Sequence, residues 1–570
     1  MTRLLRYSLM LLAAGFAARA TAQTPDWNLA LPVGGASPVL IQSIVADSSD
    51  NVYLAGSFYD TATFGHLSLT SQGSEDIFVA KWNRTTQRFV WVQRAGGPEA
   101  DHAAQLVRRG PYLYLTGECQ STDYTFGALH RRNAGFTGNT EAFVAKLTDA
   151  GPSSSFAWVQ PLGTGQAQGT ALAVEGSRVY AAGTFYGPLR FATFTLPNNN
   201  LPGYGTQDIF VAAVDDQGSS ASVAWADRAG GIRDDFPTAL AVSGHQIYLS
   251  GAFYSPVARF GSTDLPNNDP ERHTSDAFVA KLTDNGSRGQ FVWARGAGGW
   301  FHDQFSGVAV QGPNVYAVGS IGTAVDFGPL KARTAGTLDM VVAKLVDAGP
   351  SAAFKWVQTG GGAGYEEARS VAVQGNVLYV SGELNSGDNR FGNLHFRRQA
   401  SIGTGVFVTR LTDLGEMSNF DWVREAHGAT NGHAYAFAQS GQQLYLAAGL
   451  PPSAQLGQLP ATPLDTPQIL LLGLTDTQSS VFNTPASSLE VFPNPATNAL
   501  WVRLPTAGAA PVRLQVLDML GRVVLQRTEA VTEAGLLSQV PVTQLASGTY
   551  VLRVQAGPAT AATQRFVVTR

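Results

Sequence analysis

The chain alternates short apolar runs with polar turn residues, and one such run recurs along most of its length. Its first copy, residues 52–56, reads VYLAG, with a tyrosine at the second position and a glycine at the end. Related runs begin at residues 113, 179, 247, 315, 378 and 444. Because these runs are short, rich in β-branched and aromatic residues and bounded by turn formers, they predict β-strands.

Three further runs accompany each copy of the tyrosine run: a Val-Ala-Val-like run before it, a Phe-Val-Ala-Lys-like run after it, and then a tryptophan run. The repeated tryptophans lie between 63 and 68 residues apart, at Trp27, Trp91, Trp158, Trp225, Trp293, Trp356 and Trp422. Four strands repeated seven times are typical of a seven-bladed β-propeller, so the pattern predicts an all-β fold of this kind over residues 23–475.

The phase of the repeat leaves one extra strand at the start of this region and one missing strand at its end. The Trp27 run precedes the first complete repeat, whereas the last repeat, near residues 434–475, lacks a tryptophan run. We therefore expect the Trp27 strand to pair with the last repeat, which closes the ring and leaves no open sheet edge between the two ends. These repeats resemble the seven-bladed propeller repeats of many secreted bacterial proteins, over about residues 27–475. The resemblance implies an architecture and almost nothing about function.

The C-terminal residues 488–570 have a strand-rich pattern of their own, which follows a polar linker at 476–487. About seven short strands in this length predict a small Ig-like β-sandwich. The segment opens with Phe-Pro-Asn-Pro, has an Asp-to-Gly turn and contains a Gly-Thr-Tyr motif. The motif residues are Phe492, Pro493, Asn494, Pro495, Asp518, Gly521, Gly548 and Tyr550.

This segment resembles the type A C-terminal sorting domain of the type IX secretion system, found in Bacteroidota. The resemblance implies that the type IX translocon of the outer membrane is a partner, and that the cargo is released or anchored at the cell surface. An ordinary Ig-like binding module is the alternative interpretation.

Residues 1–22 have the pattern of a secretory signal peptide. Arg3 and Arg6 precede a short apolar run, and residues 20–22 (ATA) form a cleavage site before Gln23. No later stretch reaches 18 apolar residues, so no membrane span is expected after cleavage. The predicted location is extracellular or at the outer cell surface.

Composition restricts the partners and the chemistry. The net charge of −4 argues against a nucleic-acid partner, since phosphate binding needs clustered positive charge. A single cysteine, Cys119, excludes both an intrachain disulfide and a cysteine-based zinc site. We expect a monomer without cofactor or metal.

Acidic residues recur in five of the repeats, and tryptophans recur throughout, which favours structural roles for both. Asp76, Asp208, Asp276 and Asp339, with Glu141 in the same slot, are expected to cap turns through hydrogen bonds to the backbone. The repeated tryptophans are expected to pack blade against blade.

The loops that cross between repeats carry the candidate ligand-binding residues. In a propeller these loops share one face with the loops between the second and third strands. The candidates on the crossover loops are Asp101, His102, Asp235, His302, Asp303, Glu367 and His433. Histidine and carboxylate groups at one mouth suit a divalent cation, whereas the alternative is that they are solvated loop tips.

Two longer loops share the phrase Leu-Pro-Asn-Asn. Their asparagines, Asn198, Asn199, Asn267 and Asn268, offer amide donors and acceptors to a glycan or a peptide. The alternative is a duplicated insertion without a binding role.

The sequence has no calcium loop, zinc-protease motif, nucleophile elbow or phosphate loop. This favours a non-enzymatic role without deciding the question. The favoured hypothesis is an exported propeller that acts as a binding scaffold for an extracellular protein or polysaccharide. Two alternatives stay open: a polysaccharide hydrolase or lyase with carboxylates at the propeller mouth, and a structural or adhesion protein.

Overall fold

A computed structural model describes most of the chain. The described residues are 24–35, 37, 39–134, 139–198, 205–398, 403–426, 432–451, 454, 456–457, 459, 468–477, 490–492, 494–504, 512–518, 522–529, 536–556 and 559–569. Within them the fold is all-β, as predicted, with one short 3-10 helix at Pro270–Arg272. The predicted signal peptide and most of the predicted linker lie outside the described residues.

Thirty-seven strands cover the repeat region. The first eighteen are β1 (Trp27–Val33), β2 (Val39–Ala46), β3 (Asn51–Phe58), β4 (Thr61–Phe64), β5 (Leu67–Thr70), β6 (Asp76–Asn83), β7 (Arg88–Gly96), β8 (Asp101–Arg109), β9 (Tyr112–Cys119), β10 (Asp123–Phe126), β11 (Leu129–Arg132), β12 (Glu141–Asp149), β13 (Ser154–Pro161), β14 (Thr164–Glu175), β15 (Arg178–Arg190), β16 (Thr195–Leu196), β17 (Gln207–Asp216) and β18 (Ala221–Gly230).

The remaining strands of this region are β19 (Asp235–Ser243), β20 (Gln246–Phe253), β21 (Val257–Phe260), β22 (Thr263–Pro266), β23 (Asp276–Asp284), β24 (Gly289–Ala297), β25 (Gln304–Gln311), β26 (Asn314–Phe327), β27 (Leu330–Asp347), β28 (Ala352–Gly361), β29 (Glu366–Gln374), β30 (Val377–Leu384), β31 (Asp388–Phe391), β32 (Leu394–Arg397), β33 (Gly405–Asp413), β34 (Ser418–Ala426), β35 (His433–Ser440), β36 (Gln443–Leu450) and β37 (Gln468–Thr475).

Each repeat forms one antiparallel sheet with a four-stranded core, and in every complete repeat the strands follow the order of the four sequence runs. We number the sheets by these cores: I (β2, β3, β6, β7), II (β8, β9, β12, β13), III (β14, β15, β17, β18), IV (β19, β20, β23, β24), V (β25, β26, β27, β28), VI (β29, β30, β33, β34) and VII (β35, β36, β37, β1). The first strand of each sheet contacts the first strand of the next, and β35 contacts β2. The first strands therefore follow one another around a closed circuit.

The Trp27 strand closes this circuit as predicted. Strand β1 pairs antiparallel with β37 in sheet VII, from Trp27↔Leu474 to Val33↔Ile469. The indole Nε1 of buried Trp27 donates a hydrogen bond to the Glu425 carbonyl in sheet VI at 2.9 Å. The two ends of the repeat region are thus joined within one sheet.

Hairpins inserted between the second and third strands reach onto the preceding sheet. Hairpin β10–β11 pairs with β7, β21–β22 pairs with β18, and β31–β32 pairs with β28. Each adds strands to an outer edge that would otherwise present unpaired backbone groups.

Neighbouring sheets are also joined by a repeated buried polar contact. The Asp149 carboxylate of sheet II accepts hydrogen bonds from three side chains of sheet I: Lys81 Nζ at 2.8 Å, Tyr53 OH at 2.7 Å and Trp91 Nε1 at 3.1 Å. Trp91 also belongs to an apolar cluster that contains Leu113 of sheet II. The predicted packing of tryptophans between repeats is confirmed.

The same contact recurs at three further junctions between sheets. Its members are Tyr114, Lys146 and Trp158 around Asp216; Tyr248, Lys281 and Trp293 around Asp347; and Tyr316, Lys344 and Trp356 around Asp413. In sheet III, Ala213 stands at the lysine position, and Arg178 Nε instead pairs with Asp284 at 3.1 Å.

The C-terminal segment forms two further antiparallel sheets. Its strands are β38 (Glu490–Phe492), β39 (Ala499–Leu504), β40 (Val512–Leu517), β41 (Val523–Glu529), β42 (Leu536–Pro541), β43 (Gly548–Ala556) and β44 (Ala559–Val568). One sheet has the order β38-β39-β42 and the other β41-β40-β43-β44. Buried apolar side chains of both sheets form one common cluster.

Candidate functional site

Three predicted ligand-binding carboxylates are buried in the crossover loops. Asp101 Oδ2 accepts hydrogen bonds from the Gly97 amide at 2.7 Å and from Ser121 Oγ at 2.7 Å. Asp235 repeats this arrangement with Gly231 and Ser255. Both side chains are fully buried, and their hydrogen bonds stabilise the conformation of the crossover loop.

Asp303 occupies the equivalent position in sheet V, directly before its first strand β25. Its two carboxyl oxygens accept hydrogen bonds from the amides of Gly299 and Gly322, each at 2.8 Å. Since Asp101, Asp235 and Asp303 are 0% exposed, the alternative that they are solvated loop tips is wrong.

A second buried carboxyl group, at the start of the third strand, adjoins most of these loops. Asp76 accepts a hydrogen bond from the Gln72 amide at 2.9 Å, and Asp276 accepts one from the Asn268 amide at 2.8 Å. Asp339 accepts one from the Ala335 amide at 2.8 Å. The predicted capping of turns is confirmed at these three positions.

The two carboxyl groups at such a junction disfavour each other's ionisation. Burial raises the pKa of Asp303 to about 8, and the neighbouring charge of Asp276 adds to the effect. Burial raises the pKa of Asp276 itself to about 7. Burial likewise raises the pKa of Asp235 to about 7 and that of Asp339 to about 6.

His102 lies between two glutamates at the mouth of sheets I and II. Its Nε2 is 2.9 Å from Glu75 Oε2, and its Nδ1 is 3.1 Å from Glu118 Oε1. Hydrogen bonds to Glu118 and Glu75 raise the pKa of His102 to about 10. Burial opposes ionisation of Glu75, yet its hydrogen bonds with His102, Ser57 and Tyr59 lower the pKa of Glu75 to about 2. The imidazolium is therefore held as one charge of a fixed ion-pair cluster.

Glu367 and His433 are brought together across sheets VI and VII by two residues that the sequence analysis did not single out. Arg369 Nη2 lies 3.1 Å from Glu367 Oε2 and 3.6 Å from Glu383 Oε1. His433 Nδ1 lies 3.7 Å from the same oxygen of Glu383. Gln304 Nε2 of sheet V donates a hydrogen bond to Glu367 Oε1 at 2.9 Å. Polar groups of sheets V, VI and VII thus meet at one place.

One sequence signal for this cluster was available. Glu118 and Glu383 each follow the glycine that ends the tyrosine run, and each pairs in register with a candidate residue, Glu118 with His102 and Glu383 with Glu367. Arg369 has no comparable signal, because it occupies the β-bulge of β29, where the register shifts between Ala368 and Ser370.

A small cavity of about 120 Å³ opens beside this cluster. It is lined by Ser320, Leu338, Tyr365, Glu366, Glu367, Glu383, Asn385 and Thr404. Large apolar side chains are exposed on the two crossover loops nearby: Trp300 is 66% exposed, Tyr365 is 58% exposed, and Phe301 is also exposed. We call Trp300, Phe301, Tyr365, Glu367 and Glu383 the mouth surface.

His302, the remaining candidate on these loops, has a local role. Its Nδ1 accepts a hydrogen bond from the Ser275 amide at 3.3 Å, and its ring lies 5.5 Å from the ring of Tyr254. It therefore braces the loop that carries Phe301.

The asparagine-rich loops are held by their own side chains. Asn198 Nδ2 donates to the Phe185 carbonyl at 3.0 Å, and Asn267 Nδ2 donates to the Thr274 carbonyl at 2.9 Å. Asn268 Nδ2 donates to Asp276 Oδ2 at 2.9 Å. Asn199 lies outside the described residues. These three amides are engaged in shaping their loops, and their binding of a ligand stays a prediction.

One residue of the predicted sorting motif joins the two C-terminal sheets, and two others make contacts within the segment. Asn494 Oδ1 accepts a hydrogen bond from the Val567 amide at 2.9 Å, and Pro495 follows it in the loop to β39. Tyr550 OH donates to the Ala546 carbonyl at 2.9 Å. Phe492 pairs across strands with Trp501, and both side chains are exposed.

The other motif residues lie at turns and strand ends. Asp518 Oδ2 accepts a hydrogen bond from Arg522 Nε at 2.7 Å, and Gly548 begins β43 opposite Val568. Pro493 and Gly521 lie outside the described residues.

The comparison with protein families concerns this C-terminal segment. Residues 490–569 match the family described as the secretion system C-terminal sorting domain. The segment is a type IX sorting domain. The chain is therefore cargo of the type IX secretion system, exported to the cell surface or the extracellular space. In the described part of the chain, no helix has the length and apolarity that crossing a membrane requires.

No curated protein sequence matches the chain. Solved structures with propeller-like folds resemble it at low similarity. A quinohemoprotein alcohol dehydrogenase from Comamonas testosteroni has a TM-score of 0.37 at 7% identity, over 83% of this chain and 79% of that one. Drosophila Semaphorin 2a has a TM-score of 0.32 at 9% identity, over 95% and 97%. A mutant Trypanosoma rangeli sialidase displaying trans-sialidase activity has a TM-score of 0.29 at 8% identity, over 82% of each chain.

Among the described residues, no group of three or more histidine, cysteine, aspartate or glutamate side chains is arranged to hold a metal ion. Cys119 is buried, and burial raises the pKa of its thiol well above the usual value.

Proposed function

We propose that this protein is a non-enzymatic binding scaffold that the type IX system delivers to the outside of a bacterium of the Bacteroidota type. In this proposal the seven sheets are the blades of a β-propeller. The C-terminal segment is an Ig-like sandwich that the translocon recognises and that directs the chain to it. The propeller binds an extracellular protein or polysaccharide at its mouth surface.

The exposed aromatic side chains of the mouth surface carry this proposal. Large apolar side chains that cluster on exposed loops mark interaction sites more often than scattered ones do. Trp300 and Tyr365 are far more exposed than the repeated tryptophans and tyrosines, which are buried between sheets. Beside them, Glu367 and Asn385 supply polar groups for orienting a ligand.

The binding test uses the full chain on a glycan array and in a pull-down from the extracellular fraction of its host. We expect Trp300→Ala and Tyr365→Ala each to weaken binding at least tenfold. Met417→Ala is the matched control, since Met417 is an exposed apolar residue in the β33–β34 hairpin, at the opposite end of the strands. Equal binding by all three variants would place the contact elsewhere and reject the mouth surface.

The two alternative functions are tested in the same preparations. A polysaccharide hydrolase or lyase would show turnover that Glu367→Gln or Glu383→Gln abolishes, because these carboxylates are at the mouth and not buried in the loops. A structural or adhesion role would show neither turnover nor array binding, together with a loss of cell adhesion when the protein is deleted.

The route of export is tested by removing residues 488–570. We expect the truncated protein to accumulate in the periplasm, because the translocon then has no sorting domain to recognise. Undiminished delivery of this truncation to the surface would show that another part of the chain directs export.

A further inference from the structure

The small cavity beside the mouth surface is lined mainly by polar groups. Of its eight lining residues, only Leu338 and Tyr365 have apolar or aromatic side chains. Its volume of about 120 Å³ is well below the ~300–1,000 Å³ of pockets for drug-sized ligands. The cavity therefore suits one small polar group, whereas the anchor side chains of most protein–protein interfaces are aromatic or apolar and enter apolar pockets.

Ser320 brings a buried hydroxyl group to this cavity. It lies in β26 of sheet V and is only 6% exposed, yet it forms part of the cavity lining. Within the part of the chain that the structure describes, its Oγ makes no hydrogen bond. A buried hydroxyl without a partner is unfavourable, and one that faces a cavity gains a partner from whatever polar group enters.

Glu383 supplies a second polar group, because only one of its carboxylate oxygens is engaged. Its Oε1 accepts a hydrogen bond from the Ala434 amide at 3.1 Å and lies 3.6 Å from Arg369 Nη2. The contact of 3.7 Å with His433 Nδ1 also involves Oε1. Among the described residues all polar contacts of Glu383 thus fall on this oxygen, which leaves Oε2 to accept a hydrogen bond from a ligand.

The other two carboxyl groups of the cavity are engaged by the protein itself. Glu366 accepts hydrogen bonds from backbone amides on both oxygens, at 2.7 Å and 2.9 Å. Glu367 accepts one from Gln304 Nε2 at 2.9 Å and pairs with Arg369 at 3.1 Å. Three carboxyl groups therefore surround the cavity beside one guanidinium, so the electrostatic field disfavours an acidic ligand.

Tyr365 adds an exposed aromatic ring to the same cavity. It lines the cavity while remaining 58% exposed, and its carbonyl accepts a hydrogen bond from the Asn385 amide at 3.1 Å. An aromatic face packs against apolar C–H groups, whereas the hydroxyl, amide and carboxylate groups nearby exchange hydrogen bonds. A sugar residue presents both features, since its ring has C–H faces and a rim of hydroxyl groups.

We propose that this cavity binds one uncharged sugar residue of an extracellular polysaccharide. Ser320 Oγ and Glu383 Oε2 exchange hydrogen bonds with the sugar hydroxyls, and the Tyr365 ring packs against a C–H face. The inference rests on the proposed function and narrows its ligand, from a protein or a polysaccharide, to a neutral glycan. A protein ligand is the competing outcome, and it would have to insert a polar or cationic side chain such as that of lysine.

The test is isothermal titration calorimetry of the full chain with oligosaccharides of matched length. The neutral set is built of glucose, mannose or N-acetylglucosamine, the acidic set of uronic acids, and the amino set of glucosamine. We expect a neutral oligosaccharide to bind, and acidic ones to bind about tenfold more weakly or less. Its affinity should be the same at about 50 mM and about 500 mM NaCl, since no intermolecular ion pair forms, whereas salt would weaken an inserted lysine.

Removal of the Ser320 hydroxyl separates binding from folding. Ser320→Ala should weaken neutral-sugar binding about two- to tenfold, the effect of one lost hydrogen bond. The unfolding temperature should not fall, because this hydroxyl makes no hydrogen bond within the described part of the free protein. Ser418→Ala is the matched control: Ser418 Oγ is also buried without a hydrogen-bond partner among the described residues, but it lies at the opposite end of the strands. This control should leave sugar binding unchanged.

The outcomes distinguish this inference from the proposed function. A protein partner that depends on Trp300 and Tyr365, with no sugar bound, would overturn the inference and leave the proposed function intact. Tighter, salt-sensitive binding of the amino sugars, or equal sugar binding by the wild-type chain and Ser320→Ala, would also overturn it. A mouth surface that binds neither a protein nor a sugar would reject both.

Discussion

Lys146 of sheet II and Asp216 of sheet III lie 2.7 Å apart, Nζ to Oδ2, with both side chains almost fully buried. The same carboxylate accepts hydrogen bonds from Tyr114 OH and Trp158 Nε1. Burial opposes its ionisation, yet the hydrogen bonds from Lys146 and Tyr114 hold the pKa of Asp216 below the usual value. One carboxylate therefore satisfies three donors of the neighbouring sheet.

Removal of this carboxylate should strongly destabilise the ring. We expect Asp216→Ala to lower the free energy of unfolding by about 3–5 kcal/mol, because it leaves the Lys146 charge buried without a partner. Denaturant unfolding followed by tryptophan fluorescence measures the effect. Asp326→Ala is the control, since Asp326 pairs with Lys331 at 2.9 Å on an exposed hairpin and should change stability little. Equal losses in both variants would contradict the importance of burial.

Strong acid should weaken the contacts that Asp149, Asp216 and Asp347 make between sheets. Hydrogen bonds outweigh burial and hold the pKa values of Asp149, Asp216 and Asp347 below their usual value of 3.8. Groups with lowered pKa values stabilise the fold above pH 3.8, and this stability is lost as the pH falls through the folded-state pKa. Unfolding measured from about pH 4 down to about pH 2.5 should show this loss. Above that range, buried carboxyl groups with raised pKa values, such as Asp303, make stability rise as the pH falls. Asp216→Asn should have a shallower dependence, and an unchanged slope would count against the assignment.

His102 should keep its proton across the neutral range. Its ion pairs with Glu118 and Glu75 place its pKa near 10. In NMR spectra of ring-labelled histidine, we expect the His102 signal to keep the shift of the charged form between pH 5 and pH 9. Glu118→Gln should bring the titration toward neutral pH. A wild-type signal that titrates near pH 6.5 would show that the ion pairs are not formed.

Deletion of residues 24–33 should open the ring, because β37 then loses its partner β1 and becomes an unprotected edge. We expect the truncated protein to be less stable and to self-associate, as measured by thermal unfolding and light scattering. A chain that lacks only residues 1–22 is the control. A monomeric truncation of unchanged stability would show that closure by β1 is dispensable.

Much of the fold could be predicted from the sequence because it repeats. The tyrosine and tryptophan runs gave the strand order, and their phase gave the pairing of β1 with β37. The contacts between repeats were harder to predict. Asp149 stands beside Gly151 in the hairpin after β12, which by itself indicates a turn, and only the folded ring brings it to Lys81, 68 residues earlier.

The candidate site was predicted in part. Glu367 and His433 do share one cluster, but the crossover aspartates are buried, since residues that begin an innermost strand point into the junction between sheets. The exposure of Trp300 and Tyr365 could not be predicted, because it depends on the path of the loops. The periodic pattern of the sequence contains no information about that path.

The pairing of β1 with β37 also sets an order of events in time. Asn28 and Thr475, which share a hydrogen bond in sheet VII, are 447 residues apart in the chain. Contacts at such separation form late in folding. Strand β1 is synthesised first, but it cannot pair until β37 of the seventh repeat has been made. A chain truncated before β37 therefore keeps an open ring with two unpaired strand edges.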